Sequence, residues 1–346
     1  MKRIIPMMLL LSILFVPVNA VEITAPTVPS YAQEFMPAEP ENLMDGVRYV
    51  LYQAIKQFRP DIREAYRVCF SMIIAVMLVS LIRPLGASLD GSTNLAGTVA
   101  VSTLFLSAGG ALLDLGQETV IQISEYGRLL IPVMTTALAA QGGITSATAL
   151  YAATVAFDSV LAFLISRILM PLLFTFLALS IAHSAIGEDT LKRMRDGIKW
   201  LMTWLLKTIL YIYTGFIGIT GVVSGPTDTT ALKAAKLTIS GLVPLVGGIL
   251  SDASEAVLVS AGLVKNAAGL YGLFAMISIW LGPFIKISAH YLMLRLTGTV
   301  CSVFGTKRLS DLLQDFATVM GFLLAMTGSV CLMLLISTIC FMRGVV

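Results

Sequence analysis

The chain has 346 residues, of which 57% are hydrophobic and only 12% are charged, and its mean hydropathy is +0.89. Soluble domains are about half apolar and about a quarter charged, so this composition excludes an ordinary soluble protein. The formal net charge of +3 decides little, because the placement of Lys and Arg matters more than their sum in membrane proteins. We therefore expect an all-α fold, a polytopic integral membrane helix bundle.

Residues 1–20 have the pattern of a secretory signal peptide. Lys2 and Arg3 precede an apolar run over residues 4–16, and Ala20 suits a cleavage site. The alternative is an uncleaved first transmembrane helix. In both cases the chain from residue 21 onward starts outside the cytoplasm.

Residues 21–66 are expected to form an extracytoplasmic tether followed by an amphipathic helix. The tether is rich in proline and has little periodicity, whereas residues 42–58 have apolar side chains at helical spacing. These apolar residues are Val47, Leu51, Ile55 and Phe58. The helix is predicted to end near Pro60 and to lie on the membrane surface, against a partner protein, or on its own protein.

Residues 67–346 are predicted to form the polytopic membrane domain, with about eight to ten transmembrane helices. The apolar segments are 68–82, 94–113, 128–141, 144–166, 168–183, 200–223, 231–250, 256–281, 284–303 and 317–341. Basic residues cluster at 192–199, within a predicted loop over residues 187–199, and at 307–308, and positive charge near helix ends marks the cytoplasmic side. Ten crossings would put both basic clusters in the cytoplasm and both termini outside.

An internal repeat is possible within this domain. Pro132 and Pro171 have the same spacing as Pro244 and Pro283. Aligning these prolines defines possible repeats over residues 94–199 and 200–316, followed by a final helix at 317–341. Transporters and channels often contain such repeats.

Enzymatic signatures are missing from the sequence. It has no GxxxxGK[ST] loop, GxGxxG, GxSxG or HExxH motif. The four cysteines lie in apolar segments without a CxxC pair, and His183 and His290 stand alone. We expect no catalysis, no cofactor, no metal and no nucleic-acid partner.

Charged residues inside apolar segments are better functional candidates. Asp158, Lys207 and Lys265 each lie within such a segment. A charge there costs roughly 2.5 to 3.5 kcal/mol on insertion scales, so it usually faces a partner or water. We expect Asp158 and Lys265 to form an intramembrane pair, the alternative being a purely structural ion pair or a snorkelling lysine.

A stretch over residues 218–272 is apolar yet interrupted by small, proline and charged residues. Its candidate helix-packing or assembly residues are Gly221, Gly225, Pro226, Asp228, Pro244, Gly247, Gly248 and Asp252. Asp252 also suits the start of a helix after a turn, where negative charge is favourable.

The same stretch resembles a known family. The motifs are SGPTD at 224–228, ALKAAK at 231–236 and VPLVGGILSDA at 243–253. They are similar to those of the stage III sporulation protein AE family of endospore-forming bacteria.

The resemblance implies a membrane-embedded subunit of a secretion-like channel complex in the mother-cell membrane around the forespore. The implied partners are the other membrane proteins of the stage III sporulation A operon, a separate ATPase subunit, membrane lipid and, indirectly, forespore stage II protein Q. A stand-alone secondary transporter with internal repeats and a passive scaffold remain alternatives.

Overall fold

The computed structural model describes residues 26–37, 43–82, 90–242, 247–304 and 307–343, and between residues 218 and 265 it describes the backbone alone. The elements are a 3-10 helix (Ser30–Phe35), α1 (Leu43–Ile82), α2 (Asp90–Ala140), α3 (Ile144–Leu164), a π-helical turn (Ile165–Leu169), α4 (Met170–Ile186), α5 (Asp189–Leu242), α6 (Gly247–Phe304) and α7 (Lys307–Arg343). Every regular element in these ranges is helical, which confirms the all-α prediction.

Six helical stretches are long and apolar enough to cross a membrane, counting only the described residues. They are Asp45–Ile82, Gly91–Ala140, Ile144–Ile186, Asp189–Ile217, Asn266–Val303 and Lys307–Arg343. The polytopic helix bundle is therefore confirmed, with fewer candidate spans than the eight to ten predicted. Part of the reason is that neighbouring apolar segments join into one helix: segments 94–113 and 128–141, for example, both belong to α2. The count also leaves out the predicted segment 231–250, which lies outside the residues searched.

Proline does not end the first long helix. Pro60 lies inside α1, so the prediction that the helix ends there is wrong. Proline in a helix interior costs about 3 kcal/mol. Side chains on both sides of Pro60 are buried in the bundle, Val50 before it and Met72 after it. Packing of both halves offsets the cost of a continuous helix.

The buried face of α1 differs from the predicted stripe. Leu51 and Ile55 are 58% and 65% exposed, whereas Val50 is buried against Phe274 and Leu281 of α6. The helix thus folds onto its own protein, the third of the expected alternatives, through a neighbouring face. Part of the predicted tether also packs on the bundle, because Phe35 of the 3-10 helix joins the same cluster.

Helix α7 forms the centre of the described bundle. Its side chains are buried along most of its length, from Leu309 to Phe341. The ring of Phe316 stacks on Phe105 of α2, with ring centroids 3.9 Å apart. Packing on this scale, not propensity, keeps a helix of this length ordered.

One close helix contact depends on glycine. A Cβ atom at Gly272 of α6 would collide with the side chain of Leu130, which is buried in α2. Small residues at such contacts let helix backbones approach closely, as membrane helices require.

The ends of α4 and α5 meet the start of α7. Gly187 closes α4 in the left-handed conformation, with a φ of 85°, and its N–H donates to the His183 carbonyl over 2.8 Å. Arg308 Nη1 donates to the Ile186 carbonyl over 3.5 Å. The basic segments 192–199 and 307–308 therefore lie at the same end of the bundle, although residues 192–199 are helical and not the loop that we predicted.

The predicted domain limits and the internal repeat stay predictions. Residues 1–20 and Pro244 lie outside the described residues. Pro132 lies inside α2, and Pro283 lies inside α6.

Candidate functional site

Asp158 lies in the middle of α3 and is only 2% exposed. Ser124 Oγ of α2 donates a hydrogen bond to Asp158 Oδ1 over 3.2 Å. Arg128, one helical turn beyond Ser124 on α2, interacts electrostatically with the Asp158 carboxylate. A hydrogen bond and a nearby cation together reduce the cost of burying this carboxylate.

A second set of hydrogen bonds begins one turn before Asp158. Thr154 Oγ1 and Ser337 Oγ of α7 are 2.8 Å apart. Tyr213 of α5 hydrogen-bonds with Ser337 and donates to the Met333 carbonyl over 2.9 Å. Because Thr154 and Asp158 lie four residues apart on one face of α3, the two sets form one polar network that joins α2, α3, α5 and α7.

Apolar and aromatic side chains surround this network. Phe157 packs edge-on against the Tyr213 ring, with centroids 5.4 Å apart. Tyr213 itself is only 1% exposed, and Leu161 is fully buried one turn along α3. Hydrogen bonds in such a low-dielectric site are stronger than in water, and an unpaired polar group is correspondingly costly.

The arrangement fixes a carboxylate and several hydroxyl groups between four helices. It can hold the helices in one register, or it can present Asp158 to a cation. Arg128 is exposed at the bundle surface, so its charge is also open to a neighbouring chain or to water.

The predicted partner of Asp158 remains untested. Lys265 belongs to α6, but its side chain lies outside the described residues, as do those of Pro226, Asp228 and Asp252. The contacts of Gly221, Gly225, Gly247 and Gly248 lie outside the description as well. The backbone is nevertheless informative at Asp252. Asp252 lies within α6 and not at the predicted turn near residue 252, because α6 already begins at Gly247.

Sequence reasoning found Asp158 but missed its described neighbours. Ser124 and Arg128 are four residues apart on α2, and Thr154 and Asp158 are four apart on α3. That spacing was a usable signal, because such pairs share a helix face. Tyr213 and Ser337 gave no sequence signal, since only tertiary packing brings α5 and α7 beside α3.

The cysteines and histidines have ordinary structural environments. Cys69, Cys301 and Cys331 are buried free thiols, and Cys340 is partly buried. His290 Nδ1 lies 2.9 Å from the Lys286 carbonyl in its own helix. Among the described residues, no three His, Cys, Asp or Glu side chains converge to hold a metal ion.

Long apolar helices with a buried polar network define this chain as a multi-pass membrane protein of the helix-bundle class. Comparison with protein families then places it more narrowly. The chain belongs to the stage III sporulation protein AE family, whose model matches residues 33–344.

A curated relative supports this assignment. The chain is 25% identical over 202 residues to stage III sporulation protein AE of Bacillus subtilis (strain 168). The match covers 58% of this chain and 51% of the relative, so it spans about half of the relative's length. No solved structure matches this chain.

Proposed function

We propose that this chain is a membrane-embedded subunit of a channel or secretion-like complex that links the mother cell to the forespore during endospore formation. The observation that carries the proposal is the family match, which extends from residue 33 to residue 344 and so covers nearly the whole helical bundle. The chain would reside in the mother-cell membrane that surrounds the forespore.

Helix length supports a role inside a larger assembly. Helix α2 has 51 residues, and at about 1.5 Å per residue it is roughly 75 Å long. The hydrocarbon core of a membrane is only about 30 Å thick. Helix α2 also exposes four charged residues in its central part, Asp114, Glu118, Glu125 and Arg128. Charges along such a helix require water or protein partners, which neighbouring subunits of a complex would supply.

The proposed partners follow from the family. They are the other membrane proteins of the stage III sporulation A operon, membrane lipid and, indirectly, forespore stage II protein Q. Energy would come from a separate ATPase subunit, because we propose that this chain is not an enzyme and uses no cofactor.

Within such a complex, the Asp158 network would act at a helix–helix contact. The carboxylate would be held by Ser124 and would attract a cation from the same chain or a neighbouring one. Lys265 is the cation that the sequence predicts for this contact. Arg128 is a second candidate, because it interacts electrostatically with Asp158.

The experiment is complementation of an endospore-forming strain that lacks its own copy of this gene. We expect the wild-type chain to restore heat-resistant spores and to co-purify from sporulating cells with other membrane proteins of the same operon. Asp158→Asn should lower the spore count, whereas Asp196→Asn, near the start of α5 with a side chain that is 55% exposed, should not. Restored sporulation by a chain that co-purifies with none of these proteins would refute the proposal.

The two alternatives predict different results. A stand-alone transporter would move solute across liposomes that contain the purified chain alone. A passive scaffold would tolerate Asp158→Leu together with Lys265→Leu without loss of spores. Immunoblots of each variant check that a lower spore count does not merely reflect lost protein.

A further inference from the structure

A second polar site lies between the 3-10 helix, α1, α2 and α6, and none of its lining residues belongs to the Asp158 network. It is a cavity of about 420 Å³. The polar and charged side chains that line it are Tyr31, Glu34, Gln57, Asp61, Glu118, Gln122 and Lys286. Asp61 lies about two helical turns before the apolar segment 68–82, so the cavity is at the edge of the apolar layer of α1.

Asp61 is the unusual member of this site. It is only 6% exposed, yet its Oδ2 atom has no hydrogen-bond partner among the described residues. A buried carboxylate oxygen without a donor is costly, and native structures seldom leave one unpaired. The atom therefore requires a donor that a ligand could supply.

The charges around the cavity do not balance. Glu34 pairs with Lys56 over 3.7 Å, and Lys286 pairs with Glu64 over 3.3 Å. Each of these two lysines thus already has an acidic partner. Lys286 also attracts the Asp61 carboxylate, but no ion pair joins them among the described residues, and Glu118 there accepts a hydrogen bond from Gln122 Nε2, over 2.8 Å, without pairing with a cation.

Aromatic side chains complete the lining. The Tyr31 hydroxyl donates to Gln122, and the Phe35 ring also faces the cavity. Burial, with a smaller effect from the Glu118 carboxylate, raises the pKa of the Tyr31 phenol to about 12, so Tyr31 stays neutral. Aromatic faces beside unpaired carboxylates attract organic cations.

We infer that this cavity binds an organic cation, a primary ammonium or guanidinium group, whose N–H donors pair with Asp61 and Glu118. Calcium is a poorer fit, because it takes six to eight oxygen ligands and the described residues contain no cluster of three suitable acidic or histidine side chains. The ammonium could belong to a small free amine or to a lysine or arginine side chain of a neighbouring protein. This inference does not depend on the proposed function.

The first experiment measures binding to the purified full-length protein in detergent by calorimetry, with 1,4-diaminobutane as the probe and uncharged 1,4-butanediol as its control. We expect the diamine to bind and the diol not to bind. Asp61→Asn should weaken diamine binding at least tenfold, whereas Asp114→Asn should leave it unchanged, because Asp114 does not line the cavity.

A second pair of variants covers the case in which Asp61→Asn does not fold. Glu118→Gln should also weaken the binding, and Glu125→Gln, on the same helix but outside the cavity, should not. If the diamine binds no better than the diol, or binds the cavity variants and the wild type equally, the inference is wrong.

A photo-crosslinking experiment distinguishes the two sources of the ammonium. Glu34 lies at the cavity rim, and its side chain is 60% exposed. A photoreactive amino acid replaces it, and the crosslinking is carried out in sporulating cells. A protein adduct that disappears with Asp61→Asn identifies a partner side chain. Diamine binding without any adduct identifies a free amine.

Discussion

Arg195, near the start of α5, forms an ion pair with Asp315 of α7, with Nη1 and Oδ2 only 2.6 Å apart. Their side chains are 10% and 13% exposed, so the pair is largely shielded from water. Arg195 also contacts its neighbour Asp196 over 3.0 Å, but the Asp196 side chain is 55% exposed. The shielded contact ties the basic end of α5 to the central helix.

Removing Arg195 should destabilise the bundle strongly, because Asp315 would become a buried charge without its partner. We expect Arg195→Met to lower the free energy of unfolding by about 3 kcal/mol, measured by SDS titration in mixed micelles. Asp196→Asn, at the exposed contact, should cost less than about 1 kcal/mol. The double variant Arg195→Met/Asp315→Leu should regain part of the loss. Equal losses for Arg195→Met and Asp196→Asn would contradict this account.

Tyr213→Phe tests the polar network around Asp158. The substitution removes the hydroxyl that bonds to the Met333 carbonyl and to Ser337. We expect it to lower the free energy of unfolding by about 1 to 2 kcal/mol. Tyr211→Phe is the matched control, since Tyr211 is 73% exposed and should tolerate the change. A neutral Tyr213→Phe would mean that the network does not stabilise the fold.

Gly187→Ala tests the junction between α4 and α7. Alanine must adopt a φ of 85°, and its methyl group would meet the Arg308 guanidinium. The left-handed conformation alone costs roughly 1 to 2 kcal/mol. Gly197→Ala should instead stabilise helix α5 by about 0.5 to 1 kcal/mol, because a Cβ there meets nothing within 4 Å. Thermal unfolding in detergent should shift in opposite directions for the two variants.

Close packing between α6 and α2 predicts that Gly272→Ala is destabilising. The added methyl group would collide with Leu130, and overpacking typically costs about 1 to 3 kcal/mol. Leu130→Ala alone should also cost stability, because it opens a cavity. With the collision relieved, the double variant should lose less than the sum of the two single losses. Gly215→Ala, where a Cβ meets nothing within 4 Å, is the control. Additive losses would show that another contact is responsible.

Membrane topology can be tested at the two basic segments. Arg308 lies against the end of α4, so we expect reporters fused after Lys199 and after Arg308 to give the same signal. A reporter active only in the cytoplasm should be active at both sites, because positive charge marks the cytoplasmic side. Opposite signals would refute the shared location of the two segments.

The sequence by itself determined the class of the protein. High hydropathy and the scarcity of charge are enough to predict membrane helices, since lipid leaves the backbone no other hydrogen-bond partners. The motifs at 224–228, 231–236 and 243–253 were enough to indicate the family, which the match over residues 33–344 confirms. Asp158 was also recognisable, because an acidic residue in an apolar segment is costly and therefore rare.

Tertiary structure decided where helices end and which residues surround each charge. Pro60 ends a helix in isolation, yet α1 continues because its two halves pack against the same bundle. Tyr213 and Ser337 are 124 residues apart in the chain, and only the packing of α5 against α7 joins them. Local sequence fixes what one helix prefers, whereas the free energy of burial against neighbouring helices selects the final arrangement.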